Sequence, residues 1–442
     1  MKQGAYNFVL TMLLLNSAFA DDLDELMGDF EVDADINTTI VSRVISADSW
    51  ISLNGDYTFS TAYNYKEEAT IKGLSRFRNT LNLTVDMQFS KNWKSKIELK
   101  ALGDPIYHWR EITAFTPTLE SEKEIKEGYL QGTIGKLDLK LGRQITVWGK
   151  SDNIRITDVI NPLDNREPGM VDIENLRLPV NTSKLSYFAG KFGFNLLVIH
   201  EARIQKEAEV GSEFFPTSMF PAGFSVPGAI DPESSKINTQ YAASIDGTFS
   251  GWDLSFYAAK VLDQRWHLEN NNTSRAYSHI TMSGFALNIA SGAWIFKTES
   301  ALINNLRYNT TTKTKRRLDS LVGIEYSGIK DVTTTFEVAN RHIFEYEDQM
   351  FTAADYVRKN EMQTSLRASY LFDHDNATLT YLISSFGYEF QDGGFSRLWL
   401  DYDVSDTLQI STGFIDYVGG EKPYFEAISV NDRVFFDFKY SF

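Results

Sequence analysis

Val434-Phe435-Phe436-Asp437-Phe438-Lys439-Tyr440-Ser441-Phe442 is the last stretch of the 442-residue chain. Read at a period of two, Val434, Phe436, Phe438, Tyr440 and Phe442 share one face, while Arg433, Asp437, Lys439 and Ser441 share the other, with Phe435 as the one apolar intruder. This pattern predicts a strand with an apolar medium on one side and water on the other. A strand of that kind is an aggregation hazard unless it is paired, so the rest of the chain is expected to circle round and cover its edges.

Composition agrees with a sheet rather than with helical spans. Hydrophobic residues are 43% of the chain and mean hydropathy is negative, and no internal run approaches the roughly 20 apolar residues of a spanning helix. Aromatic residues nevertheless reach 14%. Alternating strands reconcile the two, because only every second residue meets an apolar surround. A net charge of −16 argues against nucleic acid as a partner, since a phosphate backbone is bound by clustered Lys and Arg. Cysteine is absent, which removes disulfides and Cys-based metal sites.

The N-terminus carries Lys2, an apolar run from Phe8 to Leu15 and Ala18-Phe19-Ala20, the pattern of a secretory signal peptide over 1–20. Residues 21–45 form an acidic segment expected in the periplasm. In it Leu23, Leu26, Met27 and Phe30 recur at helical spacing, so 21–35 reads as a short amphipathic helix serving as a periplasmic plug or docking a periplasmic partner, or as a plain acidic tail.

From 46 to 442 the pattern is strand, short turn, strand, longer loop. Ile51, Leu53, Tyr57 and Phe59 alternate with polar residues, and Phe77, Leu81, Leu83, Val85, Met87 and Phe89 do the same. Short turns are expected at Ser90-Lys91-Asn92 and near Gly135, Gly190, Gly251, Gly292, Gly328, His374 and Ser405. Long connections are expected at 103–122, 148–179, 203–235, 263–276, 304–316, 342–359 and 418–428. The count gives about eighteen strands, with sixteen as the alternative, in an all-β, transmembrane, antiparallel up-and-down β-barrel. Phe89 and Trp93, Phe249 and Trp252, Trp294, Tyr326, Tyr370 and Phe372 cluster beside the short turns, as an interfacial girdle would. A soluble propeller or β-helix is the competing architecture, but no self-similar period is present.

The most distinctive segment runs Leu141-Gly142-Arg143-Gln144-Ile145-Thr146-Val147-Trp148-Gly149-Lys150-Ser151-Asp152, followed by Asp158, Asn161-Pro162-Leu163-Asp164, Pro168-Gly169 and Leu178-Pro179. It passes from strand into a loop of about thirty residues, longer than the roughly 12–15 of an ordinary structureless connection. This LGRQ…WG…NP.D pattern resembles a largely uncharacterised family of Gram-negative outer-membrane porin-like barrels, akin to alginate-export-type porins. The resemblance, strongest over 141–180, implies a porin-like barrel in the outer membrane, while the even strand count with short turns in the periplasm puts both termini there too. The terminal Phe442 resembles the signal read by the barrel-assembly machinery, and outer-membrane lipid and lipopolysaccharide are the surroundings so implied.

Read physically, Arg143 offers a planar fork to an anion, or else pins the loop by pairing with Asp152, Asp158 or Asp164. Trp148 is expected to pack the loop against the wall, and the Pro and Gly turns fold it back on itself. A loop tucked inward over 148–179 would narrow a pore, with Arg143, Trp148, Lys150, Asp152, Asp158 and Asp164 as constriction candidates. On the expected strand phases the early wall carries Arg76, Arg78, Lys94, Lys96, Lys100 and Lys140 against Asp86, Glu98 and Asp138. The middle wall carries Asp246, Asp253, Glu299, Asp319, Glu325 and Glu337 against Lys297 and Arg341, with Arg367, Arg397 and Arg433 later. Opposed walls of this kind would set a transverse field favouring polar or charged solutes, while the bland reading is simply a wet interior.

Other classes fit less well. His108, His200, His267, His279, His342 and His374 lie in no catalytic motif, and no HExxH, P-loop or Gly-x-Ser-x-Gly segment occurs, so neither a catalytic residue, a metal nor a cofactor is expected. A component of an export assembly is the alternative to a simple channel for an unknown polar solute, and a barrel lipase or protease ranks below it. The apolar stretch Phe214 to Pro227 is the one feature suited to an adhesin or a cap over the barrel.

Overall fold

The computed structural model describes residues 50–69, 71–110, 117–209, 212–216, 232–269 and 274–442. The expected signal peptide at 1–20, the acidic segment at 21–45 and most of the stretch 214–227 lie outside the described residues.

Eighteen strands form one closed antiparallel sheet. The first six are Ile51–Asn64 (β1), Gly73–Ser90 (β2), Trp93–Gly103 (β3), Ser121–Ile134 (β4), Leu137–Gln144 (β5) and Val180–Ala189 (β6). Next come Phe192–Ile199 (β7), Gln240–Phe249 (β8), Trp252–Leu262 (β9), His279–Ser291 (β10), Trp294–Leu306 (β11) and Lys315–Ile329 (β12). The last six are Val332–Ile343 (β13), Asn360–Phe372 (β14), Ala377–Phe386 (β15), Gly393–Ser405 (β16), Leu408–Val418 (β17) and Arg433–Ser441 (β18). Each strand pairs with its sequence neighbours, and β18 pairs back on β1, so the sixteen-strand alternative is excluded.

Alternate connections, beginning with β2 to β3, are tight turns of two residues, or of four at Asp373–Asn376. The turn expected at Gly328-Ile329 falls two residues later, at Lys330-Asp331, where Asp331 takes φ 59°. Connections at 65–72 and 387–392 also belong to the long-loop end, although both are too short to stand out in sequence. Aromatic pairs gather at the opposite, short-turn end: Phe249 on Trp252 at 4.0 Å, Trp294 on Tyr326 at 4.2 Å and Tyr370 on Phe372 at 5.4 Å.

The terminal stretch closes the ring. Phe438 faces Phe59 and Tyr440 faces Tyr57 across the seam, and Gly55 and Phe442 exchange both backbone hydrogen bonds at 2.9 Å. Phe436 is 39% exposed on the outer face, whereas Phe435 is 4% exposed. The intruder therefore points inward, into an apolar cluster with Ile415, Tyr417 and Met170. A barrel lumen lined only by polar groups would have no place for it.

Gly55 is fixed by this closure, because a β-carbon there would lie 2.6 Å from the Phe442 ring and 2.9 Å from the Asn82 carbonyl. Overpacking of this kind costs about 1–3 kcal/mol. Gly55→Val is expected to reduce the compact, heat-modifiable band on unheated gels, and an undiminished band would contradict the seam packing.

Candidate functional site: a partition across the lumen

The segment between β5 and β6 folds into the barrel. Its neck is stapled by Asn161, whose Oδ1 accepts the Thr146 N–H at 2.8 Å while its Nδ2 donates to the Leu178 carbonyl at 2.8 Å. From there Trp148 stacks on Tyr257 of β9, with ring centroids 4.8 Å apart. Trp148, Ile154, Ile156 and Ile160 then pack on an inner wall of small and aliphatic side chains that includes Ala242, Ala259, Ala286, Ala301 and Ala339. Small residues on β8 to β13 leave room for a layer of chain inside the ring.

Two inward carboxylates hold this first half. Glu299 on β11 accepts the N–H of Lys150, the N–H of Ser151 at 2.7 Å, and both the N–H and the hydroxyl of Thr157 at 3.2 and 2.8 Å. Glu337 on β13 accepts the N–H groups of Asp152 and Asn153 at 2.7 and 2.9 Å. Each group answers a need of the other. A carboxylate removed from bulk water demands donors, and an irregular chain inside a barrel has N–H groups that no ladder satisfies. Gly149, at φ 89°, lets the backbone come close enough, since a β-carbon there would lie 2.8 Å from Glu299 Oε1. Lys297 completes the patch by pairing with Asp152 and with Glu325.

The second half crosses to the far wall. Asp158 takes Arg155 at 3.2 Å and Arg177 at 2.8 Å, which folds the segment on itself. Arg166 is held by Asp164, by Glu122 at 2.9 Å and by the Thr118 carbonyl at 2.8 Å. Glu167 reaches β2, where Arg76 and Arg78 meet it at 2.6 and 2.7 Å. Asp172 reaches Arg367 on β14 at 3.0 Å and Arg397 on β16 at 3.2 Å, and Tyr417 donates its hydroxyl to the Pro168 carbonyl at 2.7 Å. The segment is thus tied to both sides of the lumen.

Part of the next long connection also turns inward. Asp164-Asn165 pairs in parallel with Lys206-Glu207, so the two segments share a short bridge within the barrel. Buried Glu213 accepts from Arg433 at 2.7 Å and from Asn64 at 3.0 Å, and Phe214 lies beneath the Arg433 guanidinium at 4.6 Å. Arg203 and Lys206 both pair with Glu124 of β4.

Among the residues singled out from sequence, Trp148, Lys150, Asp152, Asp158 and Asp164 lie in the partition, and Arg76, Arg78, Arg367 and Arg397 are its anchors on the wall. Arg143 does not pair with Asp152, Asp158 or Asp164. At the end of β5 it meets Glu201 at 3.1 Å and Glu124 at 3.9 Å, while those three aspartates take Lys297, Arg155 with Arg177, and Arg166. Lys96 pairs with Glu98 at 3.1 Å and Glu127 at 3.4 Å, and Lys94 is exposed near the short-turn end of β3. The opposed charged walls are in large part answered locally, by each other and by the partition. Sequence reading missed Tyr257, Glu167, Asp172 and Glu213, because nothing in their local pattern separates them from ordinary strand or loop residues.

Beside the partition lie a cavity of about 960 Å³ toward the long-loop end and a narrow cleft of about 130 Å³ along β2 and β3. Thr118 and Arg166 line both. The cleft carries Arg78 and Lys100 opposite Asp164 and Glu167.

The sequence matches the family described as "Protein of unknown function (DUF1302)" over residues 5–442. The chain belongs to the DUF1302 family. No curated protein matches it in sequence. In fold, this DUF1302 member is similar to OccAB2 of Acinetobacter baumannii, at a TM-score of 0.51 and 11% identity, covering 89% of this chain and 98% of that one. Similarity to OccD3 (OpdP) of Pseudomonas aeruginosa is of the same order, at a TM-score of 0.51 and 9% identity over 89% and 91% of the two chains. The outer membrane channel DcaP of Acinetobacter baumannii overlaps at 0.44, with 11% identity over 89% and 97%. The fold is that of a porin-like barrel.

Two expectations follow from the anchors. Removing the Glu299 carboxylate leaves several buried N–H groups without an acceptor, at about 1.5–3 kcal/mol for a hydrogen bond to a charged group. Glu299→Ala is therefore expected to lower thermal stability and to speed amide exchange over 149–157, whereas unchanged exchange would show that the loop holds without it.

Glu167 titrates in the partition, outside the strands. Burial pushes its carboxyl up, but Arg76 and Arg78 outweigh burial and hold it well below the ordinary value of 4.5. A depressed folded-state pKa adds stability that is full above the unfolded value and is lost only as pH falls through the folded one. Exchange protection around 165–172 is accordingly expected to stay constant from pH 7 to about 5 and to fall only below the ordinary glutamate value of 4.5. Glu167→Gln should lack protection from this contact at every pH.

Proposed function

We propose that the chain is an outer-membrane channel of a Gram-negative bacterium, passing small or oligomeric polar and charged solutes through a bore set by the segment 148–179. The observation that carries this reading is the partition itself: a long segment inside an eighteen-stranded barrel, tied to β11 and β13 by Glu299 and Glu337 and to β2, β14 and β16 by Glu167 and Asp172. Such an arrangement narrows a water-filled ring without closing its wall, and what remains open is a charged cleft beside Arg78 and Lys100 and a larger cavity lined by both rings and cations. An outer face of exposed aromatic and aliphatic side chains, with stacked rings at the short-turn end, suits a bilayer and its interface.

In this reading the short turns and both termini face the periplasm, the long loops face outward among lipopolysaccharide, and Phe442 is the residue presented to the assembly machinery. Kinship with alginate-export-type porins, secretion through 1–20 and a periplasmic partner for 21–35 belong to the same proposal. No step of it calls for a catalytic group or a cofactor.

Planar-bilayer recording tests it. The purified protein is expected to give stepwise ohmic currents, and deletion of 154–166 should raise the unit conductance because resistance is dominated by the narrowest section. Arg397→Gln together with Arg367→Gln should release Asp172 and add gating noise. Electrical silence of both the parent and the deletion variant would overturn the channel.

A further inference from the structure

The cavity of about 960 Å³ is of the size that encloses small organic ligands, and its lining combines two unlike features. One is apolar: Trp266, Tyr277, Phe386, Phe395 and Phe425 all face it. The other is a set of cations whose partners can be followed one by one. Arg166 sits on Asp164 and Glu122, and Lys206 on Glu122 and Glu124. Arg275 lies 3.9 Å from Glu207, Arg317 grips Asp319 at 2.6 Å and Lys422 pairs with Glu361. Arg341 differs. Among the described residues it makes no direct ion pair: Asp319 on β12 and Glu361 on β14 lie opposite it across the ladder but are gripped by Arg317 and Lys422, and its own guanidinium donates to the Gln363 side-chain oxygen at 3.1 Å and to the Arg155 carbonyl at 3.3 Å.

Because Asp319 and Glu361 are shared with Arg317 and Lys422, and the direct bonds of Arg341 go to neutral acceptors, its guanidinium keeps attraction for a further anion, and a planar fork beside an apolar wall is where a carboxylate or sulfonate gains most. The apolar wall is adjacent. Gln363, the acceptor for Arg341, pairs across the ladder with Phe386, whose ring lies 4.7 Å from that of Phe425. Charge and rings therefore meet over one small patch spanning β13, β14 and β15. Glu209 also lines the cavity and accepts the Thr118 hydroxyl, without an ion pair among the described residues, so the sign of the ligand charge is the point to test.

We infer that this cavity is a binding site for organic anions that carry an apolar, ring-bearing body, with Arg341 holding the anionic head and Phe386 and Phe425 the body. The inference rests on the channel reading for its purpose, since such a site would select what reaches the partition. The Arg155 carbonyl that Arg341 holds belongs to the partition, so an arriving anion competes for the same guanidinium.

Equilibrium binding to the full-length protein in lipid nanodiscs, by calorimetry, decides the matter with three probes: naphthylacetate, naphthylmethylammonium and acetate. Naphthylacetate should bind at least about tenfold more tightly than the other two, and Arg341→Gln should cost it about tenfold, the loss expected on removing a hydrogen bond to a charged group. The chain has no cysteine, and Ala208 lines the same cavity, so Ala208→Cys supplies a single thiol there while keeping both rings. Naphthylacetate should slow its alkylation and acetate should not. Equal binding of the ammonium probe overturns the inference, as does an undiminished affinity in a folded Arg341→Gln protein. If that variant does not fold, alkylation of the Ala208→Cys thiol at the same rate with and without naphthylacetate overturns it equally. Ionic current judges the channel separately: binding without current breaks the channel reading alone, and current without binding breaks this one alone.

Discussion

A backbone segment placed inside a barrel must find partners for its own N–H and carbonyl groups, because it belongs to no ladder and water reaches it only in part. In this protein that requirement is met by two wall carboxylates, Glu299 and Glu337, which gather the N–H groups of residues 150–153 and 157. The carboxylates are in turn stable inside the ring because those donors replace lost water. Neither half of the arrangement is tolerable alone. The same reciprocity recurs across the lumen, where Glu167 faces Arg76 and Arg78 and Asp172 faces Arg367 and Arg397.

Packing supports these polar contacts. Inward alanines on β8, β9, β10, β11 and β13 make a shallow bed for Trp148, Ile154, Ile156 and Ile160, and an apolar patch around Phe435, Ile415 and Tyr417 receives Met170 on the other side. The barrel therefore has a dry interior region as well as a wet one. Hydrophobic burial fixes where the partition lies, and the charge-assisted bonds fix its register along the wall.

That combination bears on the proposed transport. Lumen charges that would otherwise set a broad transverse field are largely spent in local pairs, which leaves narrow, specific features. These are the cleft beside Arg78 and Lys100, and Arg341, whose own hydrogen bonds among the described residues go to neutral acceptors while the carboxylates flanking it pair with Arg317 and Lys422. A channel built this way would discriminate by a few placed groups rather than by the mean charge of its walls.

Period-two alternation and the sequence of short turns were enough to read the barrel, its strand number to within two, and the side of the wall on which Phe436 and Tyr440 lie, because each is set by local geometry. The unusual length of the connection after Arg143 also marked the partition. Two signals stood in the sequence without being interpretable there. Phe435 broke the alternation, and β9 reads Trp252-Asp253-Leu254-Ser255-Phe256-Tyr257-Ala258-Ala259-Lys260-Val261-Leu262, apolar on both faces toward its end, as a strand covered on both sides does. Which partner each charge takes was decided only by the tertiary structure. Arg143 stands 9 to 21 positions from Asp152, Asp158 and Asp164 yet pairs with Glu201, while Asp172 meets Arg397, 225 positions away. Closing the ring sets such distances, since it brings strands remote in sequence to opposite sides of one lumen and lets a single loop touch both.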